Sequence, residues 1–352
     1  MGRRLTRRGI ARAAIVGLMV VGTTVPLAAQ AMPGKPSDQS DVGIPALVDP
    51  AADLAARTPG PEGTWVDSIF IAGQVHGDGH DFAILVHTSR FPNAPQYSYY
   101  ASVADTTTGW YRNYQTPIAP ADYHWSGTGL HIEMPGLVWT GNARQMQLTA
   151  TTPWGSLSAR FTPTGPVLNY SGNAIVPLLD DVDYEYAFPT MRTTGSLTAE
   201  GRSFQISGSS WLDRQWGPVP LTATSRWTWM NIGLSNGDQL ALWDILDAPV
   251  EHAWVTVLHP DGSYALAAVT PVADGAGDFW TSPTTGKTYP MRWRVEIPSQ
   301  RTRLDVRVIG PRGQEFPNGH VEATAAVSGR AGSAHVTGTT FVEMAGAWTG
   351  PR

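Results

Sequence analysis

Short apolar or alternating runs that end at turn residues roughly every ten positions dominate the sequence from residue 63 to residue 348. Residues 65–75 and 82–88, for example, flank Gly77-Asp78-Gly79 and are typical of a β-hairpin. No long segment in this part of the chain has the period of an amphipathic helix. The fold class is therefore predicted to be all-β, with strands that close into a barrel or stack into a sandwich to hide their edges.

The strand pattern supplies enough segments for two antiparallel β-domains, at residues 63–200 and 201–349. No linker-like sequence separates them, so we expect two tandem barrel or sandwich domains that pack closely together. The composition agrees, because charged residues make up only 15 % while Gly (37) and Pro (28) are frequent, as many turns require. Cysteine is absent, which excludes disulfides, thiol nucleophiles and cysteine metal sites.

The N-terminal residues 1–31 have the three parts of a cleavable signal peptide. A basic run through Arg12 precedes an apolar stretch at residues 13–27, and Ala29-Gln30-Ala31 offers a small-residue cleavage site. Arg7-Arg8 has the twin-arginine arrangement, which we favour over a general secretory signal with extra arginines. The apolar stretch is shorter than the ~20 residues that span a bilayer. We expect a secreted or extracytoplasmic protein, cleaved near Ala31, in which residues 32–62 are a flexible linker.

The charge of the mature chain limits its partners. Residues 1–31 contain five arginines and no acidic residue, so their removal takes the formal charge from −5 to −10. A chain this acidic is not expected to bind nucleic acid. We expect a monomer whose partner is a hydrophobic small molecule, with membrane contact only for substrate uptake.

Motifs for cofactors and metals are weak. The sequence has no Gly-rich phosphate loop and no Gly-x-Ser-x-Gly elbow, so no cofactor is predicted. His76 and His80 lie beside Asp78 and Asp81 in a turn, but turns collect Asp and Gly for backbone reasons. A solvated turn is the favoured interpretation, and no metal site is predicted.

Residues 208–217, Gly-Ser-Ser-Trp-Leu-Asp-Arg-Gln-Trp-Gly, form the most unusual stretch. Trp211 and Trp216 flank Asp213 and Arg214, and polar groups between large aromatics are usually hydrogen-bonded. One interpretation is structural, in which two core tryptophans and an acid–arginine neighbourhood close the end of a barrel. The other is a functional site.

This stretch resembles the hallmark motif of the AttH/CrtC family, which includes the carotenoid 1,2-hydratases. Tyr184-Glu185-Tyr186 before it, Arg226-Trp227-Thr228-Trp229 after it and the last strand, residues 341–346, continue the similarity. The resemblance implies two lipocalin-like β-domains, a hydrophobic pocket and cofactor-free addition of water to a carbon–carbon double bond of a polyene. Arg214 departs from the pattern, because the hydratases carry His at this position.

Asp244 is the first candidate for the proton donor. It is the lone charge in the apolar run 240–246, where burial would raise its pKa, and the resemblance implies an acid nearby. Strand alternation places Asp244 on one face with Leu240 and Leu242. The alternative is that Asp244 faces water or pairs with an arginine. Asp213 and Arg214 are the second catalytic candidates, although an arginine stays protonated and cannot act as a base.

Aromatic side chains are the candidates for substrate binding, since their faces can stabilise a carbocation. Ordinary core packing is the alternative for the tyrosines. Glu343, together with Glu322, lines the same cavity or satisfies its rim. The binding candidates are Trp211, Trp216, Trp229, Trp243, Tyr184, Tyr186 and Glu343.

The sequence thus predicts a secreted, lipocalin-like enzyme that hydrates a double bond of an isoprenoid or lipid-like substrate by acid–base chemistry, a hydro-lyase. Two alternatives use the same pocket: a cyclase or isomerase, and a non-catalytic carrier of lipids or terpenoids. The fold permits all three, because function depends on the site.

Overall fold

The computed structural model describes residues 48–179, 181–220, 225–247, 249–346 and 348. The predicted signal peptide and the first part of the predicted linker, residues 32–47, lie outside the described residues. The described residues contain short 3-10 turns and no helix that is long and apolar enough to cross a membrane. The 3-10 turns are Pro120–Asp122, Tyr170–Gly172, Val272–Gly275 and Pro298–Gln300.

The first sheet has 13 strands, all paired antiparallel, in the order β4-β3-β2-β1-β13-β12-β9-β8-β7-β6-β5, with β10 and β11 also paired to β12. Its strands are β1 (Trp65–Gly77), β2 (His80–Arg90), β3 (Tyr97–Asp105), β4 (Trp110–Ile118), β5 (His124–Trp125), β6 (Leu130–Met134), β7 (Leu137–Asn142), β8 (Gln145–Thr152), β9 (Gly155–Pro163), β10 (Leu168–Asn169), β11 (Ile175–Leu178), β12 (Asp181–Ala199) and β13 (Arg202–Pro218).

The second sheet has nine strands in the order β17-β16-β15-β14-β24-β23-β22-β21-β18, and β19 pairs with β20 beside it. These strands are β14 (Arg226–Leu234), β15 (Gln239–Asp247), β16 (Val250–Leu258), β17 (Tyr264–Ala268), β18 (Ala276–Gly277), β19 (Trp280–Thr281), β20 (Thr288–Tyr289), β21 (Arg292–Ile297), β22 (Thr302–Val308), β23 (Val321–Ala331) and β24 (Ala334–Ala345). Two curled antiparallel sheets confirm the predicted fold class.

Local sequence signals explain many of these hairpins. The turn between β1 and β2 has Asp78 and Gly79 at positive φ (52° and 79°), as a tight two-residue hairpin turn requires. Strand β8 buries alternate residues, Met146, Leu148 and Ala150, so only one of its faces belongs to a core. The period-2 pattern therefore predicts the outer strands well.

The central strands are buried on both faces. One core lies within the curl of the first sheet and contains Trp139 and Phe161, and a second lies within the second sheet and contains Trp293. A third core joins the two sheets, with Phe70 from the first sheet and Trp229 from the second. The cavity described in the next subsection borders this third core.

The division between the halves differs from the predicted one at residues 200 and 201. Glu200 and Gly201, both at positive φ, form the turn that joins β12 to β13. Strand β13 pairs with β1 and β12, so it is part of the first sheet, and the second sheet begins only at Arg226. A long-range pairing of this kind leaves no mark in the local pattern.

The described end of the predicted linker, residues 48–62, is packed against the first sheet. Leu54 is fully buried, and its carbonyl accepts a hydrogen bond from Trp125 Nε1 at 3.0 Å. The backbone N–H of Arg57 donates to Asp67 Oδ2 at 2.9 Å. Residues 53–57, in the described end of the predicted linker, are therefore packed against the first sheet.

Candidate functional site

A cavity of about 320 Å³ lies between the two sheets. Its polar groups come chiefly from the first sheet, and its aromatic wall comes mainly from the second. The lining residues are Val66, Ser68, Phe70, His87, Ser89, Phe91, Ser98, Tyr100, Leu178, Glu185, Asp213, Gln215, Val219, Trp227, Trp229, Trp243, Ile245, Asn318, His320 and Glu343.

Strand register aligns the polar wall. Tyr100, His87, Phe70 and Asp213 are direct partners across β3, β2, β1 and β13. Because neighbouring strands lie about 4.8 Å apart, Asp213 and His87 are separated by about 10 Å, with Phe70 between them. A parallel row one pleat further along contains Ser98, Ser89, Ser68, Gln215 and Glu185.

The aromatic wall is another cross-strand row. Trp254, Trp243, Trp229, Glu343 and Glu322 are direct partners across β16, β15, β14, β24 and β23. The row begins with tryptophans and ends with two adjacent glutamates. The cavity therefore has an apolar aromatic end and an acidic end.

Two aromatic residues hold Asp213 directly, and a third holds one of these two. Its Oδ1 accepts a hydrogen bond from the Tyr170 hydroxyl at 2.9 Å, and its Oδ2 accepts one from Trp211 Nε1 at 2.7 Å. The Tyr170 hydroxyl in turn accepts one from Trp229 Nε1 at 3.0 Å. Burial raises the pKa of Asp213 well above its usual range, against the effect of the two donors. The carboxyl is thus fixed in position and suited to carry a proton near neutral pH.

Glu185 is a second buried acid in the cavity. Its Oε2 accepts a hydrogen bond from Trp243 Nε1 at 3.2 Å. Burial raises the pKa of Glu185 well above its usual value, and the nearby Asp213 and Asp183 carboxyls add to the effect. The raised pKa favours the neutral form of this side chain.

His87 is a neutral imidazole on the same wall. Its Nε2 hydrogen-bonds the hydroxyls of Ser68 and Ser89, at 2.9 and 3.0 Å. Its ring stacks with Tyr100 at 5.7 Å and meets Phe70 edge-on at 5.5 Å. Burial lowers the pKa of His87 to about 4, although Glu343 acts in the opposite direction. An uncharged imidazole of this kind can accept a proton.

Glu343 forms the acidic end with His320 and Glu322. Its Oε1 accepts hydrogen bonds from Trp227 Nε1 at 2.7 Å and contacts His320 Nε2 at 3.0 Å. Burial acts to raise the pKa of Glu343, but the interactions with His320, His87 and Trp227 outweigh it and hold the pKa below its usual value. Burial raises the pKa of the adjacent Glu322 well above normal, and the charge of Glu343 adds to this. The directions of the two shifts favour the charged form of Glu343 and the neutral form of Glu322.

The same cluster contains the residues that could hold a metal ion. Ligand atoms of His320, Glu322 and Glu343 lie within 4.8 Å of one another. A cation there would compete with the hydrogen bonds that Glu343 already accepts from Trp227 and His320. Metal ligands bind in their deprotonated forms, so the occupancy of such a site would depend on pH.

Arg214 was expected at the site but lies on the opposite face of β13. Its guanidinium is fully buried, forms an ion pair with Asp67 at 2.6 Å, and donates to the carbonyls of Asp53, Ala55, Ser68 and Gln215. Its charge lies 4.5 Å from the centre of the Trp125 ring. Arg214 does not line the cavity with Asp213, because strand alternation points consecutive side chains to opposite faces.

Trp216, Tyr184 and Tyr186 also face the core of the first sheet. Trp216 stacks on Tyr184 at 5.6 Å, and the Tyr186 hydroxyl donates to the Pro50 carbonyl at 3.2 Å. None of the three lines the cavity. Trp211 does not line it either, but it contributes by positioning Asp213. The structure therefore places these four predicted binding residues outside the cavity lining.

Asp244 lies on the far face of β15. Its neighbours on that face, Leu240 and Leu242, belong to the internal core of the second sheet. Its Oδ2 accepts the backbone N–H of Val272 at 2.7 Å. Asp244, the predicted proton donor, therefore does not line this cavity, and its carboxyl anchors the segment after β17.

Four predicted residues meet at the cavity, namely Asp213, Trp229, Trp243 and Glu343. Sequence reasoning missed the residues His87, Glu185 and His320. Glu185 could have been found, because a lone acid between Tyr184 and Tyr186 must point away from the face that those tyrosines share. His87 and His320 have no comparable signal.

Known proteins resemble this chain over most of its length. A sequence model described as AttH-like matches residues 87–347. The dehydratase asqC of Emericella nidulans is 24 % identical over 320 residues, which are 82 % of this chain and 86 % of that protein. Kievitone hydratase of Fusarium solani subsp. phaseoli is 23 % identical over 281 residues, 75 % of each chain. A crystal structure assigned as AttH from Nitrosomonas europaea has a TM-score of 0.70 at 18 % identity and covers 85 % of this chain and 99 % of its own; this likeness shows the fold alone.

Proposed function

This chain belongs to the AttH-like family, and we propose that it is a hydratase or dehydratase that adds water to, or removes water from, a carbon–carbon double bond of a hydrophobic small molecule. Two relatives are named a hydratase and a dehydratase, which are the two directions of one type of reaction. The enzyme class is therefore supported by sequence relationship. The mechanism is argued from the cavity.

Asp213 is the acid of the proposed hydration. Its buried carboxyl, fixed by Tyr170 and Trp211, transfers its proton to one carbon of the double bond. The other carbon becomes a carbocation. The faces of Trp229 and Trp243 and the negative charge of Glu343, which all line the cavity, stabilise this cation.

His87 is the base. A water molecule bound beside Ser68 attacks the cationic carbon, and its proton passes through the serine hydroxyl to His87 Nε2. A new C–H bond and a new C–O bond replace the π bond, and solvent returns the proton from His87 to Asp213. In dehydration the roles reverse: the protonated imidazole donates to the leaving hydroxyl, and the Asp213 carboxylate removes the C–H proton.

One observation carries the proposal. Asp213 and His87 lie in a single cross-strand row, separated by Phe70, opposite an aromatic wall. An acid and a base about 10 Å apart leave room for a double bond and one water molecule between them. We propose an isoprenoid or other lipid-like substrate, because most of the cavity lining is apolar and aromatic.

An isotope experiment tests the reaction. The protein is incubated in ¹⁸O-labelled water with a terpenoid and lipid extract, and products are identified by mass spectrometry. A product that gains one labelled water, or loses water, is expected. Products of unchanged mass would indicate an isomerase or cyclase instead. Ligands that are retained but never altered would indicate a carrier and would contradict the proposal.

A further inference from the structure

An apolar groove of about 480 Å³ is open at the surface beside the cavity. It lies over strands β16 and β17 and is bordered by Pro177, Trp254 and Leu266. Leu266 is 59 % exposed, the largest exposure among the large hydrophobic side chains of the described residues. Because β17 is the edge strand of its sheet, nothing pairs beyond it in the described part of the chain.

The groove and the cavity share one aromatic row. Trp254 lines the groove, Trp243 lines the cavity, and their rings stack at 6.4 Å with an interplanar angle of 20°. Trp243 in turn meets Trp229 at 6.5 Å. Three neighbouring tryptophans therefore run from the surface to the side chains that hold Asp213.

A short strand borders both spaces. In β11, Pro177 lines the groove and the next residue, Leu178, lines the cavity. Glu185 lies beside Trp243 and accepts a hydrogen bond from its indole N–H. Burial raises the pKa of Glu185, which favours the neutral form that does not repel an apolar chain.

Resting on the function proposed above, we infer that this groove is a second ligand subsite, which takes the hydrocarbon tail of an elongated amphipathic substrate. The reacting double bond lies over Trp229 beside Asp213. The tail passes Trp243 and lies on Trp254 and Leu266. The polar end of the molecule points towards His320 and Glu343. A cavity of about 320 Å³ holds only a small molecule, and the groove extends it for a longer one.

Two alcohols of different length test the inference by binding alone. Geraniol fits within the cavity, whereas geranylgeraniol is twice as long and needs the groove. Wild-type protein is expected to bind geranylgeraniol more tightly in a titration followed by tryptophan fluorescence. Leu266→Glu should weaken geranylgeraniol binding about tenfold, the worth of one buried leucine, and leave geraniol binding unchanged.

Val138→Glu is the matched control. Val138 is 42 % exposed and lies on β7, in a strand that contributes nothing to the groove, so this variant should bind both alcohols like the wild type. Wild-type affinity that does not rise with length, or equal weakening of both alcohols by Leu266→Glu, overturns the inference. Asp213→Asn should keep the length preference while turnover is lost, so a failure of the subsite and a failure of the proposed reaction give different results.

Discussion

Asp213 and Arg214 are consecutive residues whose side chains serve opposite faces of β13. The Asp213 carboxyl lines the cavity, whereas the Arg214 guanidinium is fully buried in the core of the first sheet beside Asp67. The motif at residues 208–217 therefore combines two tasks in adjacent positions. Its odd-numbered residues Asp213 and Gln215 line the cavity, and Arg214 on the other face fixes the strand to the packed segment at residues 53–55.

Asp213→Asn is expected to lower turnover at least about 10²-fold, because an amide cannot donate a comparable proton. The amide oxygen can still accept from Tyr170 or Trp211, so folding and ligand binding should persist. Steady-state kinetics on the substrate found by isotope labelling measure the effect. Asp244→Asn is the control and should retain turnover; the reverse result for the two variants would restore Asp244 as the acid.

Arg214→Met is expected to destabilise the protein by about 3–5 kcal/mol, the cost of breaking a buried ion pair by removing one partner. Four backbone carbonyls and Asp67 lose a donor in this variant. Urea unfolding measures the change, and Arg144→Met, at an exposed position, is the control. A variant with unchanged unfolding but abolished turnover would give Arg214 a catalytic role after all.

The acid limb of the pH–rate profile should reflect His87. Since burial lowers its pKa to about 4, the imidazole stays neutral well below pH 6.5, and kcat/KM should fall only as the pH approaches about 4. His87→Gln should lose about 10²-fold or more of the turnover. His124→Gln, at an exposed imidazole, should match the wild type. An acid limb near pH 6.5 would argue against His87 as the base.

Asp183 should make the free energy of unfolding fall as the pH rises. Burial raises its pKa from 3.8 to about 8, while Gln215 Nε2 donates to Oδ2 at 2.6 Å. A raised folded-state pKa contributes stability that is present below pH 3.8 and is lost as the pH rises through about 8. Relative to Asp183→Asn, the wild type should therefore lose up to ~1.4 kcal/mol per pH unit within this window.

Urea unfolding between pH 5 and pH 9 follows this difference. Asp122→Asn, at an exposed carboxyl, should give a curve parallel to that of the wild type. Parallel curves for wild type and Asp183→Asn would show that Asp183 is ionised in the folded protein throughout the range.

Arg7 and Arg8 predict export by the twin-arginine route. Replacing both by lysine should abolish secretion, measured by immunoblotting of culture medium and cell fractions, because lysine does not substitute for the pair. A double lysine variant of Arg3 and Arg4 is the matched control and should be exported normally. Unchanged export of the Arg7/Arg8 variant would indicate the general secretory route.

The alternation of buried residues explains why the sequence predicts the strands well and the cavity lining only in part. Alternation identifies strands such as β8, which has one buried face. In β13 and β15 both faces are buried, so alternation separates two sets of side chains but does not say which set meets the cavity. For this reason Asp244 and Arg214 were predicted at the cavity, although neither side chain lines it.

The pairing of strands that are distant in sequence explains why the other cavity residues were not predicted. The position of His87 beside Phe70 and Asp213 depends on how β2, β1 and β13 align, although β13 follows β1 by more than a hundred residues. His320 reaches the cavity from the loop that precedes β23, next to Glu343. Such contacts between distant segments leave no periodic signal in either one.

Apart from Val219, the lining residues of the cavity come from two separate parts of the chain, before Pro218 and after Arg226. The proposed donor and acceptor of the proton belong to the first part, and the tryptophan surface belongs to the second. Substitutions on one wall therefore leave the residues of the other wall unchanged. A single recombination event between positions 218 and 226 would join the proton chemistry of one ancestor to the ligand preference of another, and this gives a physical route by which one scaffold diversifies its substrates.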